Sequence, residues 1–368
     1  MRIRWTQKAG SYLFEMQTKG QNTMEAFSNN IKLLASILIA VAILFSSGHV
    51  SAWAAVVAGP GYAIMLLNDE LAGPDGLDFD SAGNIFVANV GPTPPGSADL
   101  YKEFVSKLSP AGATISREFI GGLEGASGIA VDENNNIYIS QDVEEPIRKY
   151  DPTGKLIFKF QPHRPAFSDP NPLSLTQDGR LLAPVQDIST ANQWRVLAFD
   201  IQTGSRLQDF TPPFEFVFVT SIVYKDDQLF IGGAKATGKP GPILIAEEYQ
   251  APIAYAYNNQ LATGYVNGLA LGSDGSLFVT DDTRLRKVST DGSVTVLATG
   301  FEHARGLAEK DGCIYVADSR DGIEGALYLT CHKADFDTDS DVDGKDLAAF
   351  IANPAGISLL ALAATFGT

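Results

Sequence analysis

One pattern recurs six times along this chain: a turn residue, a glycine or other small residue, an apolar alternation, a polar tight turn and a second β-rich run. It reads PDGLDFDSAGNIFVAN at 74–89, SGIAVDENNNIYIS at 127–140 and NPLSLTQDGRLLAP at 171–184. It returns as TSIVYKDDQLFIG at 220–232, NGLALGSDGSLFVT at 267–280 and RGLAEKDGCIYVAD at 305–318. The equivalent positions Gly76, Gly128, Pro172, Ser221, Gly268 and Gly306 are 52, 44, 49, 47 and 38 residues apart. Each unit reads as a strand, a type I′-like turn and a second strand of period two. Third strands follow in IRKYDPT, RVLAFDIQTG and LRKVSTDG, each with an Asp and a further turn. A unit of this length cannot bury both faces of its own sheet. Radial packing of six such units covers the faces and leaves only short edges, which predicts an all-β fold, a six-bladed propeller over residues 57–332. The segment YAIMLLND (62–69) precedes the first full unit and is expected to complete the last blade, which ends at ALYLT, so closing the ring.

The flanks carry different signals. Lys32 precedes the thirteen-residue apolar run LLASILIAVAILF, then a polar break and VSAWA, with small residues suited to cleavage after Ala52 or Ala54. That order predicts a signal peptide with an extended n-region over residues 1–54, and hence a secreted or cell-surface protein. Thirteen residues make only about 20 Å of helix, so no stable membrane span is expected after cleavage. Met24 is an alternative start. The remaining chain holds 22 basic and 41 acidic side chains, a net charge of −19. Such a surface repels nucleic acid and anionic lipid and attracts cations. In an exported protein Cys313 and Cys331, flanking a strand–turn–strand, are expected to pair across the hairpin.

The C-terminal end reads DFDTDSDVDGKDL at 335–347. Taken as a twelve-residue calcium loop of the EF-hand type, positions 1, 3, 5, 7, 9 and 12 are Asp335, Asp337, Asp339, Asp341, Asp343 and Asp346. Six carboxylates this close repel one another unless a cation lies among them, so Ca2+ is the expected cofactor. Asp at position 12 followed by Leu347, and the flanking LAAFIANPAGISLLALAATFG, resemble a type I dockerin-like module, which implies a small α-helical calcium-binding domain at 334–368 and a protein partner docked through it.

The repeat units resemble NHL repeats and the senescence-marker-protein/gluconolactonase-like superfamily. The resemblance to the gluconolactonase-like enzymes implies a divalent ion in the channel, held by a Glu, two Asn and an Asp, of which the Asp and one Asn lie in PDG and NG motifs. Here PDG offers Asp75, VNG offers Asn267, and Asn171 is a further oxygen donor. The position matching the family's Glu is Ser127. The residues just before the repeated small residue, Asp75, Ser127, Asn171, Thr220, Asn267 and Arg305, form a polar ring where a small molecule or carbohydrate would bind. No G-x-S-x-G, H-E-x-x-H, Walker loop or C-x-x-C is present. Three functions follow: an exported calcium-binding scaffold that docks through its tail, a metal-dependent lactone or ester hydrolase at the channel mouth, or a lyase using His303 beside Arg305. Such propellers host all three classes.

Overall fold

The computed structural model describes residues 2–8, 11–17, 55–91, 103–141, 147–160, 167–168, 172–187, 193–234, 243–257, 261, 265–320 and 324–332. Two units are distinguished, one up to Trp53 and one from Ala54. The first contributes an antiparallel pair, Arg2–Lys8 with Ser11–Gln17. The expected calcium loop and its helices, and Asn171, lie outside the described residues, as does the expected cleavage site. Among the described residues, no helix is long and apolar enough to cross a membrane.

The second unit contains six antiparallel sheets. The first blade is β1 (Pro74–Phe79), β2 (Ile85–Asn89), β3 (Glu103–Leu108) and β4 (Thr114–Leu123), numbered from the axis outward. The other inner strands are Ile129–Val131, Ser174–Leu175, Phe218–Lys225, Gly268–Leu271 and Ala304–Lys310. Successive inner strands lie side by side, and the sixth meets the first. Closure comes as the sequence predicts. Tyr62–Leu71 pairs antiparallel with Gly325–His332 and becomes the outermost strand of the sixth blade.

The core is not central. Six hydrophobic clusters of described residues each occupy one seam between blades. Leu77, Ile85 and Val87 of the first blade meet Tyr315, Ala317 and Leu329 of the sixth. Phe86 and Val105, facing the other way, meet Ile129, Ile137 and Ile139 of the second. Second strands such as Ile85–Asn89 and Cys313–Asp318 are therefore buried along their whole length. The period-two expectation fails there because both faces of the blade have neighbours, so both sets of side chains must be apolar or paired.

The turns also differ from expectation in most blades. Positive φ at both central residues, which a type I′ turn needs, occurs at Asp226-Asp227 and Asp311-Gly312. In the first, second and fifth blades one residue alone is left-handed (Gly83, Asn135, Gly275). There an aspartate caps the turn: Asp80 accepts hydrogen bonds from the Ala82 and Asn84 amides, and Asp132 from those of Asn134 and Asn136. Side-chain capping replaces the paired left-handed residues. In these same blades a third-strand lysine lies over the aromatic residue opposite it on the second strand: Lys107 over Phe86 at 4.9 Å, Lys149 over Tyr138 at 5.3 Å, Lys287 over Phe278 at 5.8 Å. Lys107 and Lys287 also pair with the turn aspartates Asp80 and Asp274. Each of these charges thus has an anion or a ring face to meet.

Cys313 and Cys331 are opposite each other in the ladder and form a disulfide with Cα atoms 4.5 Å apart. The bridge closes a loop of 18 residues in the blade where the ring itself closes. Replacing both cysteines with serine is expected to lower stability by about 3 kcal/mol, the size of a loop constraint of this length. Urea unfolding of the oxidised protein and the double variant measures it.

Candidate functional site at the channel mouth

All six inner strands start at the same face of the ring. The second strands end there too, so the segments that follow them begin around this opening, while the tight turns lie at the opposite face. A cavity of about 90 Å³ sits among the strand starts, lined by Asp75, Ser127, Thr220 and Asn267 with backbone from Gly128, Pro172 and Gly306. Four of the six ring positions read from the sequence therefore converge on one space. Arg305 is exposed beside it, and its neighbour Gly306 completes the lining.

The repeated glycine makes this convergence possible. A Cβ on Gly76 would lie 2.4 Å from the Ser127 carbonyl oxygen, one on Gly268 2.4 Å from that of Arg305, and one on Gly306 2.3 Å from that of Asp75. Each glycine thus lets a ring residue of the next blade approach within contact, and the Gly76 amide donates to the Ser127 carbonyl at 2.9 Å. Any side chain at these positions would push the inner strands apart.

Buried polar side chains fix the strand starts. Asn89 accepts a hydrogen bond from the Ala72 amide at 3.0 Å, and Glu103 from the Ala126 amide, just before Ser127. Asp318 accepts from the amides of Glu302 (3.1 Å) and His303 (2.8 Å), just before Arg305. The Asn267 side-chain amide donates to Asp282 at 2.8 Å and to the Ala304 carbonyl at 3.0 Å. Both partners are acceptors, so the amide nitrogen must face them and the carbonyl oxygen Oδ1 is left for the cavity. The sequence reading missed Asn89, Glu103 and Asp318. The trace of Asn89 and Asp318 there is that several second strands end in a polar residue, as in FVAN and YVAD.

Burial among the inner strands pushes the Asp75 carboxyl above the usual carboxylate range, and the Arg305 charge acts against that rise. Asp318 is likewise raised by burial, opposed by the hydrogen bond from His303 and the Arg320 charge. The His303 side chain is exposed. Further along the first inner strand Asp78 accepts hydrogen bonds from the Phe79 and Val131 amides, yet burial pushes it up to about 6. A carboxyl raised in the folded state binds its proton more tightly there than in the unfolded chain. Its contribution is therefore full below the unfolded value and lost as pH rises through about 6. Relative to Asp78→Asn, the wild type should lose on the order of 2 kcal/mol between pH 4 and pH 7.5, read from urea unfolding at the two pH values. A flat difference would show that Asp78 titrates normally.

The donors do not match the divalent site that the sequence resemblance implies. Among the described residues the cavity offers one carboxylate, a neutral hydroxyl at Ser127 where the second acid would stand, and the Asn267 oxygen. A guanidinium close enough to act on Asp75 opposes a cation further. Among the described residues, no group of three or more His, Cys, Asp or Glu could hold a metal. A hard dication wants several anionic oxygens, and this set supplies one.

No protein-family model matches the chain, and no curated protein matches it. Solved structures do. A gluconolactonase from Xanthomonas campestris, described as important in glucose secondary metabolic pathways, is 13% identical with a TM-score of 0.56, covering 74% of this chain and 90% of that one. A second structure, of a candidate gluconolactonase, is 10% identical with a TM-score of 0.53, covering 74% of this chain and 93% of that one. A candidate oxidoreductase (glucose dehydrogenase) from Thermus thermophilus is 14% identical with a TM-score of 0.50, covering 73% of this chain and all of that one. At such identities the likeness is one of fold.

Proposed function

We propose that the protein is a hydrolase of lactones or related esters, acting at the channel mouth with Asp75 as general base. The observation that carries this is Asp75, its carboxyl raised by burial, at a cavity that Ser127, Thr220 and Asn267 also line. In the reaction Asp75 takes a proton from water as the water oxygen attacks the carbonyl carbon. The ring or ester C–O bond then breaks and the departing alkoxide recovers the proton. Arg305 is placed to meet negative charge developing on the carbonyl oxygen. The fold shared with gluconolactonases favours this reading over a lyase using His303 or a scaffold alone. Hydrolysis is tested by proton release from γ-butyrolactone and δ-gluconolactone, with and without EDTA. Turnover that survives EDTA supports the Asp75 reading; no turnover of either ester under any condition overturns it.

The acidic tail is proposed as a separate calcium site that serves docking to a protein partner outside the cell. The support is the sequence itself, an aspartate at every ligand slot from Asp335 to Asp346. Titration calorimetry of the chain from Ala55 to Thr368 should show calcium binding that is lost when the chain ends at Lys333. Binding retained by the shorter chain would move the ion to the channel.

A further inference from the structure

Hydrogen bonds already made inside the fold narrow what the cavity can offer a ligand. Both amide hydrogens of Asn267 are engaged, one by the Asp282 carboxylate at 2.8 Å and one by the Ala304 carbonyl at 3.0 Å. The Thr220 hydroxyl donates its hydrogen to the Val266 carbonyl. Whatever these two residues give a ligand they give as acceptors, from Oδ1 and from the lone pairs of Oγ1. Asp75, the one carboxylate among the described lining residues, also accepts when ionised. The hydroxyls of Ser127 and of Ser221, which accepts from the Leu269 amide at 2.8 Å, can turn either way. Backbone amides add little, since those of Gly76, Gly128 and Asn267 already donate to Ser127, Ser140 and Thr280. The described lining is therefore rich in acceptors and short of donors, around about 90 Å³ or roughly three water volumes.

We infer that this cavity holds a hydrogen-bond donor, and that in the hydrolase reading, on which this step rests, the donor is the attacking water. Water has two hydrogens, and Asp75 takes one of them. Asn267, assisted by Thr220, accepts the other, which leaves an oxygen lone pair free to attack the carbonyl carbon. The proton held by Asp75 then passes to the departing alkoxide, so the carboxylate is restored. The substrate carbonyl oxygen, itself an acceptor, finds no partner in Thr220 or Asn267 and turns to Arg305, exposed beside the cavity. Asp282 is then a positioning residue: with the Ala304 carbonyl it keeps the Asn267 amide from turning over.

Methanol supplies the test, since it has one O–H hydrogen where water has two. In dilute methanol γ-butyrolactone is divided between the hydroxy acid and its methyl ester. That product ratio is set within each turnover and is blind to how much of the protein is folded. Asn267→Leu should lower the preference for water about three- to tenfold, the size of one hydrogen bond. Asp282→Ala should lower it in the same direction, whereas Asp282→Asn, which keeps an acceptor opposite the amide, should stay near the wild-type value. Thr220→Val, which removes the assisting acceptor, moves the ratio the same way and serves where Asn267→Leu does not fold. An unchanged ratio in these variants overturns the inference and leaves hydrolysis standing. Saturation-transfer NMR with 2-propanol and acetone, alike in size and not hydrolysed, reads the cavity apart from the chemistry. Preference for the alcohol that is lost in Asn267→Leu, without turnover of the lactone, sinks the hydrolase and keeps the donor site. Neither that preference nor turnover sinks both.

Discussion

Asp75→Asn is expected to reduce lactone hydrolysis by roughly 10²–10⁴-fold, the range that a positioned general base contributes. The substitution keeps the shape of the side chain and removes only its ability to take a proton. Because burial raises the Asp75 carboxyl, its ionised form is held at a cost in the folded state. The variant should therefore be at least as stable as the wild type at neutral pH. Lost activity with retained or raised melting temperature separates a chemical role from a structural one. The wild-type rate should climb as pH rises through the elevated Asp75 value, and the residual rate of the variant should not. A variant that keeps most of its activity removes Asp75 from the mechanism.

The second large effect is structural. Gly306→Ala places a methyl group 2.3 Å from the Asp75 carbonyl oxygen and 3.1 Å from the Gly76 Cα, in the seam where the sixth blade meets the first. Both neighbours are backbone, so relief requires moving an inner strand. A loss of about 3–5 kcal/mol is expected, in the range of severe overpacking. Gly121→Ala is the matched control, since its Cβ would meet only the Glu118 carboxylate at 4.0 Å. Thermal unfolding of the two variants should differ by about 10 °C; equal melting temperatures would show that the inner ring yields easily.

The architecture was legible because a repeat survives translation into structure. The six small residues from Gly76 to Gly306 mark six inner strands, and YAIMLLND closes the ring as its isolated apolar pattern suggests. The disulfide was legible for the same reason, since a hairpin fixes which residues face each other. Turn types were not, because Asp80 and Asp132 act through side-chain hydrogen bonds that a count of glycines cannot reveal. The site was half legible. Asp75 and Asn267 could be named from PDG and VNG, whereas Glu103 and Asp318 act from neighbouring strands, on partners that are 23 and 15 residues away. No local motif encodes a contact between strands that meet only when the blade is built.

The strand that closes the sixth blade begins where the last described strand ends. Tyr62 and His332 are ladder partners, with their rings 5.2 Å apart, and the last described strand descends from the opening to the side of the tight turns. Whatever is tethered after residue 332 thus starts from the back of the disc. A large assembly could be hung there without shadowing the front, so anchoring and substrate traffic have separate approaches to the same molecule.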